Sequence, residues 1–180
     1  MERPLLPFTI PLAGLKLGIT TVNLKVEGDF FQCFPDSPVQ SGELDLELDL
    51  DKRQDLILVT FRFEGRVATT CDRCLADIGL PIEGEQELII KYGETFKEED
   101  EVIWLSQDMR EFNLARFAYE FFILAIPVVR IYDCEDDDPR PCDMEMLATL
   151  EKHQKGPESE EEEEETDNPF RNLLDELNKN

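Results

Sequence analysis

The residues of this sequence whose types and spacing could do chemistry are cysteines that fall into two pairs. Cys71 and Cys74 form a Cys-x-x-Cys motif, and Cys134 and Cys142 follow after an interval of fifty-nine residues. A Cys-x-x-Cys knuckle can place two thiolates on one ion, and a second pair can complete a tetrahedral zinc site. The spacing predicts a zinc site built from these four cysteines, although the second pair is wider than a knuckle.

Two other interpretations of the cysteines stay open. A thiol oxidoreductase carries its Cys-x-x-Cys motif at a helix N-terminus, which lowers the thiol pKa. Here the motif follows a predicted strand, and Gly79 and Pro81 disfavour a helix after it. The third interpretation is a scaffold protein whose cysteines lie near strand ends and bind no metal.

The chain is strongly acidic, which limits the kinds of partner it can bind. Its 180 residues carry a formal net charge of -24. Such a surface repels a phosphate backbone and attracts basic proteins or cations. No apolar run is long enough for a membrane helix, and the prolines near the start do not suit a signal peptide. We therefore expect a cytoplasmic protein, in which thiols stay reduced.

Strands are predicted on both sides of the Cys71 knuckle. The clearest one has an apolar face and an anionic face, with Leu44, Leu46, Leu48 and Leu50 alternating with Asp45, Glu47, Asp49 and Asp51. This period of two is typical of a half-buried strand. Residues 56–70 continue as the second strand of a hairpin that ends at Cys71. A further strand is expected over residues 80–92, followed by a charged loop at residues 97–101.

A buried helix is predicted after these strands. Asp108 and Glu111 have the spacing of a capping box, and Pro127 ends the apolar helical pattern that follows. A helix this apolar must be buried. The fold class is therefore α+β, with a largely antiparallel sheet that could close like a barrel, and one buried helix. A second short helix is expected over residues 144–153.

The C-terminal part of the sequence predicts a separate organisation. Residues 1–155 are expected to form a single domain, and residues 156–167 a disordered acidic linker. Residues 168–180 are expected to form an amphipathic helix that docks on a surface. Its apolar positions, which follow helical spacing and are candidate partner-binding residues, are Phe170, Leu173, Leu174 and Leu177.

Arginines in the hairpin raise the question of RNA binding. Arg62, Arg66 and Arg73 could form a local basic strip that touches RNA. The simpler interpretation, which we favour, is that the arginines pair across strands with the neighbouring acidic strand. His153 is the one histidine of the chain. It lies beside the predicted linker, where it is poorly placed to act as a catalytic base.

The Cys71 motif and its surroundings resemble a known family. Residues 67–75, Val-Ala-Thr-Thr-Cys-Asp-Arg-Cys-Leu, resemble the hallmark of the YceD-like family of large ribosomal RNA accumulation proteins. Residues 8–15, 113–127 and 168–173 resemble further motifs of that family, in the same order along the chain. The resemblance implies a small, non-enzymatic cytoplasmic protein that supports accumulation of large-subunit ribosomal RNA. Where some members carry a dense late cysteine cluster, this chain has only Cys134 and Cys142.

Charge adds a hypothesis about the partner. The anionic strand face and the six consecutive glutamates at residues 160–165 could hold a basic large-subunit ribosomal protein or a pre-ribosomal particle. The terminal helix would supply a hydrophobic anchor, and direct RNA contact is disfavoured by the net charge. The alternatives are a thiol oxidoreductase, an RNA-processing enzyme, or a scaffold with or without zinc.

Overall fold

Three long antiparallel strands form the centre of the fold. The computed structural model describes residues 3–99, 102–135 and 137–154, which divide into one unit ending at Asp143 and a second beginning at Met144. The strands are β1 (Thr9–Ile10), β2 (Gly18–Val26), β3 (Gly42–Lys52), β4 (Leu56–Thr70), β5 (Asp77–Gly93), β6 (Lys97–Glu99), β7 (Val102–Ser106) and β8 (Phe112–Asn113). The helices are α1 (Gly28–Gln32), α2 (Ala115–Leu124) and α3 (Met144–Gln154), and 3-10 turns span Arg3–Phe8 and Leu12–Gly14.

The main sheet has six strands in the order β2-β3-β4-β5-β7-β6. All neighbours are antiparallel except β5 and β7, which run parallel. A separate two-stranded sheet joins β1 to β8. The expected α+β class with a mostly antiparallel sheet is confirmed. Barrel-like closure is wrong for the described residues, because β2 and the three-residue β6 end the sheet at opposite edges without pairing to each other.

The predicted alternation in β3 is confirmed. Leu44, Leu46, Leu48 and Leu50 are each at most 3% exposed. The acidic residues between them lie on the other face, where the register aligns them with β2 and β4. A strand with a period of two buries one face and leaves the other to solvent, so the leucines form the floor of the core.

Helices α1 and α2 cover this apolar face, mainly with phenylalanines. The Phe122 ring of α2 lies 4.9 Å from the Phe63 ring of β4 and 5.9 Å from the Phe30 ring of α1. Phe121 makes an edge contact with Phe61 at 5.0 Å. Edge-to-face rings add a directional contribution to the area that they bury. The predicted burial of the helix is therefore confirmed.

The helix begins later than the capping-box pattern predicts. Residues 112–113 pair with β1 instead, and α2 begins at Ala115, whose backbone amide donates to Asn113 Oδ1 at 2.9 Å. The Asn113 side-chain amide also donates to the Leu5 carbonyl at 2.7 Å. Asp108 accepts a hydrogen bond from Ser106 rather than capping the helix. The pairing with β1, about a hundred residues away in sequence, takes the place of the first predicted turns.

The remaining element predictions divide between the described and undescribed parts of the chain. Residues 97–99, expected as part of a loop, form β6 because they pair with β7. The helix expected over residues 144–153 is confirmed as α3. The acidic linker at 156–167 and the terminal helix with Phe170, Leu173, Leu174 and Leu177 lie outside the described residues, so both stay predictions.

Candidate functional site

The Cys71 knuckle, residues 71–76, is the connection between the two longest strands. β4 ends at Thr70 and β5 begins at Asp77. The Cys71 amide donates to the Ala76 carbonyl at 2.8 Å, and the Leu75 amide donates to the Cys71 carbonyl at 2.9 Å. Leu75 has a φ of 60°, which lies in the left-handed region that residues other than glycine rarely adopt. The turn is thus closed by its own backbone and fixes the direction of both cysteine side chains.

A second segment, residues 125–143, follows α2 and is bound to the knuckle; we call it the return segment. Its Arg130 amide donates to Asp72 Oδ2 at 2.8 Å, and Arg130 Nη2 donates to Asp72 Oδ1 at 2.8 Å. The Asp72 amide donates in turn to the Arg130 carbonyl at 3.1 Å. The side-chain hydrogen bond from Arg130, followed by the one from its backbone, holds the pKa of Asp72 below its usual value. The pairing places the return segment against the knuckle.

The return segment carries the second cysteine pair to the first. Cys74 is in side-chain hydrogen-bonding contact with Cys71 and with Cys142, and Cys142 is in the same kind of contact with Cys134. All four thiols are free. The structure therefore brings together the four cysteines that the spacing singled out, and we call them the thiol cluster. Cys33 stands apart, its thiol donating to the Asp29 carbonyl.

Within the thiol cluster, Cys74 and Cys142 differ in acidity. Burial raises the pKa of Cys74, but hydrogen bonds from the backbone amides of Ala76 and Asp143 and contacts with Cys71 and Cys142 outweigh it, so its pKa is lowered. The hydrogen bond with Cys134, then burial, raise the pKa of Cys142 to about 11. Of these two thiols, Cys74 therefore loses its proton at the lower pH.

The surroundings of the thiol cluster bear on the oxidoreductase interpretation. Cys71 and Cys74 are only 7% and 1% exposed, and they follow a strand rather than begin a helix. A redox-active thiolate must be reached by its substrate, so burial of both sulfurs works against that chemistry. The lowered pKa of Cys74 is shared by redox thiols and metal-binding thiols and does not separate them.

Neither the described cysteines nor the described carboxylates are arranged around a position that a metal ion could occupy. Within residues 3–99, 102–135 and 137–154, no group of three or more His, Cys, Asp or Glu side chains has the geometry to hold a metal ion. The contacts between the thiols form a chain from Cys71 through Cys74 and Cys142 to Cys134. The zinc prediction is not tested by this arrangement and stays a prediction.

The three arginines of the proposed basic strip have different surroundings. Arg62 contacts three carboxylates, Glu47 at 2.8 Å, Asp49 at 2.7 Å and Glu85 at 3.1 Å. Two of these, Glu47 and Glu85, lie directly opposite Arg62 in the register. The favoured cross-strand interpretation therefore describes Arg62 correctly.

Arg66 and Arg73 differ from Arg62 and from each other. Arg66 donates to the Gly79 carbonyl at 3.1 Å and lies over the Tyr132 ring. Arg73 is exposed in the knuckle and makes no ion pair with a described residue. Of the three arginines, Arg62 alone makes ion pairs with described carboxylates; Arg66 contacts a carbonyl and a ring instead.

The outer side of the sheet carries an acidic groove that the sequence predicts only in part. The groove has a volume of about 870 Å³ and runs across β2, β3, β4 and β5. Its charged lining residues are Lys25, Asp45, Glu47, Arg62, Glu64, Glu83 and Glu85. The β3 carboxylates were anticipated, but Glu64, Glu83 and Glu85 were not. The signal was available, since Glu83, Glu85 and Glu87 repeat with the period of a strand.

Three acidic residues form an unbroken row across this groove. Asp45 on β3 lies opposite Glu64 on β4, which lies opposite Glu83 on β5. Lys25 contacts Asp45 at 3.2 Å, but both side chains are largely exposed. Like charges directly opposite each other destabilise a sheet. We call Asp45, Glu64 and Glu83 the acidic row.

The second unit contributes one described element, α3. His153 lies near its end and is exposed, as expected for a solvated residue. No helix among the described residues is long and apolar enough to cross a membrane.

The protein is thus of the α+β class, with an open sheet whose outer face is anionic and whose longest hairpin ends at the thiol cluster. The sequence profile described as "Large ribosomal RNA subunit accumulation protein YceD" matches residues 59–175, nearly two thirds of the chain. The chain therefore belongs to the YceD family. The matched range contains all four cysteines of the thiol cluster, whereas β2 and β3 precede it. Comparisons with curated proteins and with solved structures found no match.

Proposed function

We propose that this protein supports the accumulation of large-subunit ribosomal RNA as a non-enzymatic factor that binds a basic ribosomal protein in its acidic groove. Family membership supports the link to the large subunit. The single observation that carries the mode of binding is the acidic groove itself, about 870 Å³ in volume. A groove whose charged side chains are mostly carboxylates attracts a cationic chain segment and orients it on approach.

The charge distribution favours a basic protein over RNA as the bound partner. The groove holds five carboxylates against two cationic side chains. One of these, Arg62, is already paired with three carboxylates. A phosphate backbone would meet net negative charge here, so its binding would not gain the counterion release that Lys and Arg contacts to phosphates provide. Lysine and arginine side chains would instead find acceptors in fixed positions.

The acidic row is the part of the groove where a cationic side chain of the partner would gain the most binding free energy. Glu64 and Glu83 are exposed, lie opposite each other and make no ion pair with a described residue. Their mutual repulsion is a cost that the free protein carries. A lysine or arginine placed between them would relieve that repulsion and form new ion pairs, so binding and sheet stability are coupled.

The proposal can be tested with matched charge variants of the full chain. Proteins extracted from large ribosomal subunits are passed over immobilised wild-type protein at moderate salt, and those retained are identified by mass spectrometry. The groove variant combines Asp45→Asn, Glu64→Gln and Glu83→Gln. The control variant combines Asp55→Asn, Glu94→Gln and Glu111→Gln, three exposed acids outside the groove. Both variants change the net charge by the same amount.

We expect wild type and control to retain the same basic large-subunit protein, and the groove variant to bind it at least about tenfold more weakly. In cells, the groove variant should lower the ratio of large-subunit to small-subunit ribosomal RNA. Equal loss in both variants would show that bulk charge, not the groove, is responsible. Retention of no basic large-subunit protein by the wild type would overturn the proposal.

A further inference from the structure

The two edges of the main sheet differ in length and charge. At one edge, β6 has three residues, two of them glutamates, and its Glu98 contacts Arg116 at 3.3 Å. At the other edge, β2 has nine residues and pairs, within the described part of the chain, with β3 alone. Short charged edges resist the addition of another strand, whereas long edges with little charge accept one. The β2 edge is therefore the one at which the sheet can grow.

The composition around β2 suits contact with a second copy of this acidic chain. Residues 3–26 contain three Lys or Arg residues and no Asp or Glu, although the whole chain has 42 acidic residues. β2 itself carries one charged residue, Lys25, and a run of residues at 19–22 that are all β-branched. Such residues favour strand pairing. Two copies can align β2 without placing one carboxylate directly opposite another.

The core face of the sheet is incompletely covered at β2. Val22 and Leu24 lie opposite Leu48 and Leu46 of β3 in the register. The two β3 leucines are each 1% exposed, whereas Val22 and Leu24 are only half-buried and Thr20, on the same face, is exposed. A groove of about 360 Å³ lies beside them, lined by β2, β3 and the segment before β2. A further strand at this edge would continue the apolar layer.

We propose that two copies of this chain associate by antiparallel pairing of β2 with β2 about a two-fold axis. Each copy contributes a six-stranded sheet, so the dimer has one continuous sheet of twelve strands. A register centred on Val22 overlaps the whole of both strands and brings residues of the same face together. Such an interface is self-complementary, as a two-fold dimer requires. This inference is independent of the proposed function.

On the outer face, this register gives each residue a compatible neighbour. Thr21 lies opposite the partner's Asn23, and Ile19 lies opposite the partner's Lys25. Ile19 is 72% exposed in the single chain. The apolar stem of Lys25 would cover it, while the ammonium group stays beside Asp45, 3.2 Å away in its own chain. The pairing therefore covers an exposed apolar side chain without breaking an ion pair.

On the core face, the same register joins apolar residues. Val22 meets the partner's Val22, and Thr20 meets the partner's Leu24. Cross-strand pairs of this kind stabilise a sheet, and no like charges lie directly opposite each other on either face. The half-buried side chains of β2 would thus gain the cover that the β3 leucines already have.

Net charge and interface size set the expected strength of the dimer. Two chains of net charge -24 repel each other, and salt screens that repulsion over a Debye length of about 8 Å at physiological ionic strength. A pair of nine-residue strands is small beside the roughly 1,200 Å² that a stable interface buries. We therefore expect a micromolar dissociation constant that falls as salt is raised. A basic protein bound in the acidic groove has the opposite salt dependence, so the two proposals fail separately.

The test measures self-association of the full chain by sedimentation velocity, over about 5 to 500 µM and at low and high salt. The repulsive variant combines Thr21→Lys with Asn23→Lys, which places lysines opposite each other across the interface. Within its own chain each lysine lies opposite a β3 carboxylate, Asp49 or Glu47, so the fold is retained. The attractive variant combines Thr21→Lys with Asn23→Glu.

We expect the repulsive variant to dimerise at least about fivefold more weakly than wild type, and the attractive variant more tightly. The control combines Gln54→Lys with Gln107→Lys, two exposed residues outside β2. It carries the same net charge of -22 as the repulsive variant, two positive charges added to -24. The control should dimerise as well as wild type or slightly better, because overall repulsion is lower.

A cross-linking measurement tests the register itself. In the Val22→Cys protein, the two introduced cysteines would lie about 4.5–5.5 Å apart between Cα atoms, within the range of a disulfide. Thr20→Cys is the control, because its residue lies on the same face but meets the partner's Leu24 instead of its own copy. Mild oxidation followed by mass spectrometry should find the symmetric link for Val22→Cys and not for Thr20→Cys.

Four results would overturn the proposal. The first is a chain that stays monomeric over the whole concentration range, and the second is a dimer that neither β2 variant changes. The third is equal cross-linking of Val22→Cys and Thr20→Cys. The fourth comes from hydrogen exchange, if every β2 amide is protected in the monomer or only after a large-subunit protein is added. Another segment of this chain, or another protein, would then occupy the edge.

Discussion

Leu75 is the residue at which the backbone of the knuckle is most constrained. Its φ of 60° lies in the left-handed region, and its side chain is 63% exposed. A side chain in this region meets the backbone, and the conformation persists only where neighbouring bonds enforce it. Here the enforcing bonds are the Leu75 amide to the Cys71 carbonyl and the Cys71 amide to the Ala76 carbonyl.

Replacing Leu75 tests this constraint. Glycine adopts a positive φ without strain, so Leu75→Gly should raise the free energy of unfolding by up to about 1 kcal/mol, after allowance for glycine's greater freedom in the unfolded chain. Leu75→Val should lower it by about 1 kcal/mol, because a β-branched side chain suits this region least. Urea denaturation of both variants measures the difference, and a Leu75→Gly protein less stable than Leu75→Val would contradict the argument.

The central hairpin is the element that the sequence predicted best. Residues 56–70 were expected as one strand and form β4 with those bounds. The strand continues through Gly65, and its register with β3 and β5 runs through this position unbroken. The glycine is needed here because the neighbouring backbone approaches closely. Its φ is 155°, and a Cβ there would lie 2.1 Å from the Glu43 carbonyl oxygen.

Gly65→Ala should therefore destabilise the sheet by about 3 kcal/mol or more, since the clash is with backbone that cannot turn away. Gly14 provides the control, because no atom of the described residues lies within 4 Å of a Cβ built on it. Gly14→Ala should change the free energy of unfolding by no more than about 0.5 kcal/mol. Thermal or urea unfolding followed by circular dichroism separates the two, and equal effects would show that close backbone approach is not what Gly65 provides.

Element boundaries set by distant pairing were the ones that the sequence missed. The capping pattern at Asp108 predicted the start of the helix from local residues alone. The structure begins α2 at Ala115 because Phe112 and Asn113 pair with β1. A local pattern can indicate a period and a cap, but it contains no information on a partner strand at the other end of the unit.

In the unit that ends at Asp143, Phe122 joins the elements that make up the core. It is fully buried and contacts rings from α1 and β4. Leu124, on the same helix, is 75% exposed. The Phe122 side chain of α2 therefore packs against both α1 and β4, and its removal leaves a cavity between these three elements.

Phe122→Ala should lower the free energy of unfolding by about 3–5 kcal/mol, the usual cost of deleting a buried phenylalanine. Leu124→Ala is the matched control and should change it by less than about 0.5 kcal/mol. Denaturant unfolding of full-length protein gives both values. A small effect at Phe122 would mean that the phenylalanine cluster does not hold α2 on the sheet.

Residue type and local period were enough to predict the anionic face of β3, the burial of α2, the knuckle, the two cysteine pairs and the family resemblance. They did not predict that Arg130 of the return segment binds Asp72 of the knuckle, or that Asp45, Glu64 and Glu83 form one row. Both depend on which strands become neighbours and where the chain returns after α2. These are long-range choices made by packing the whole core, and no local spacing encodes them.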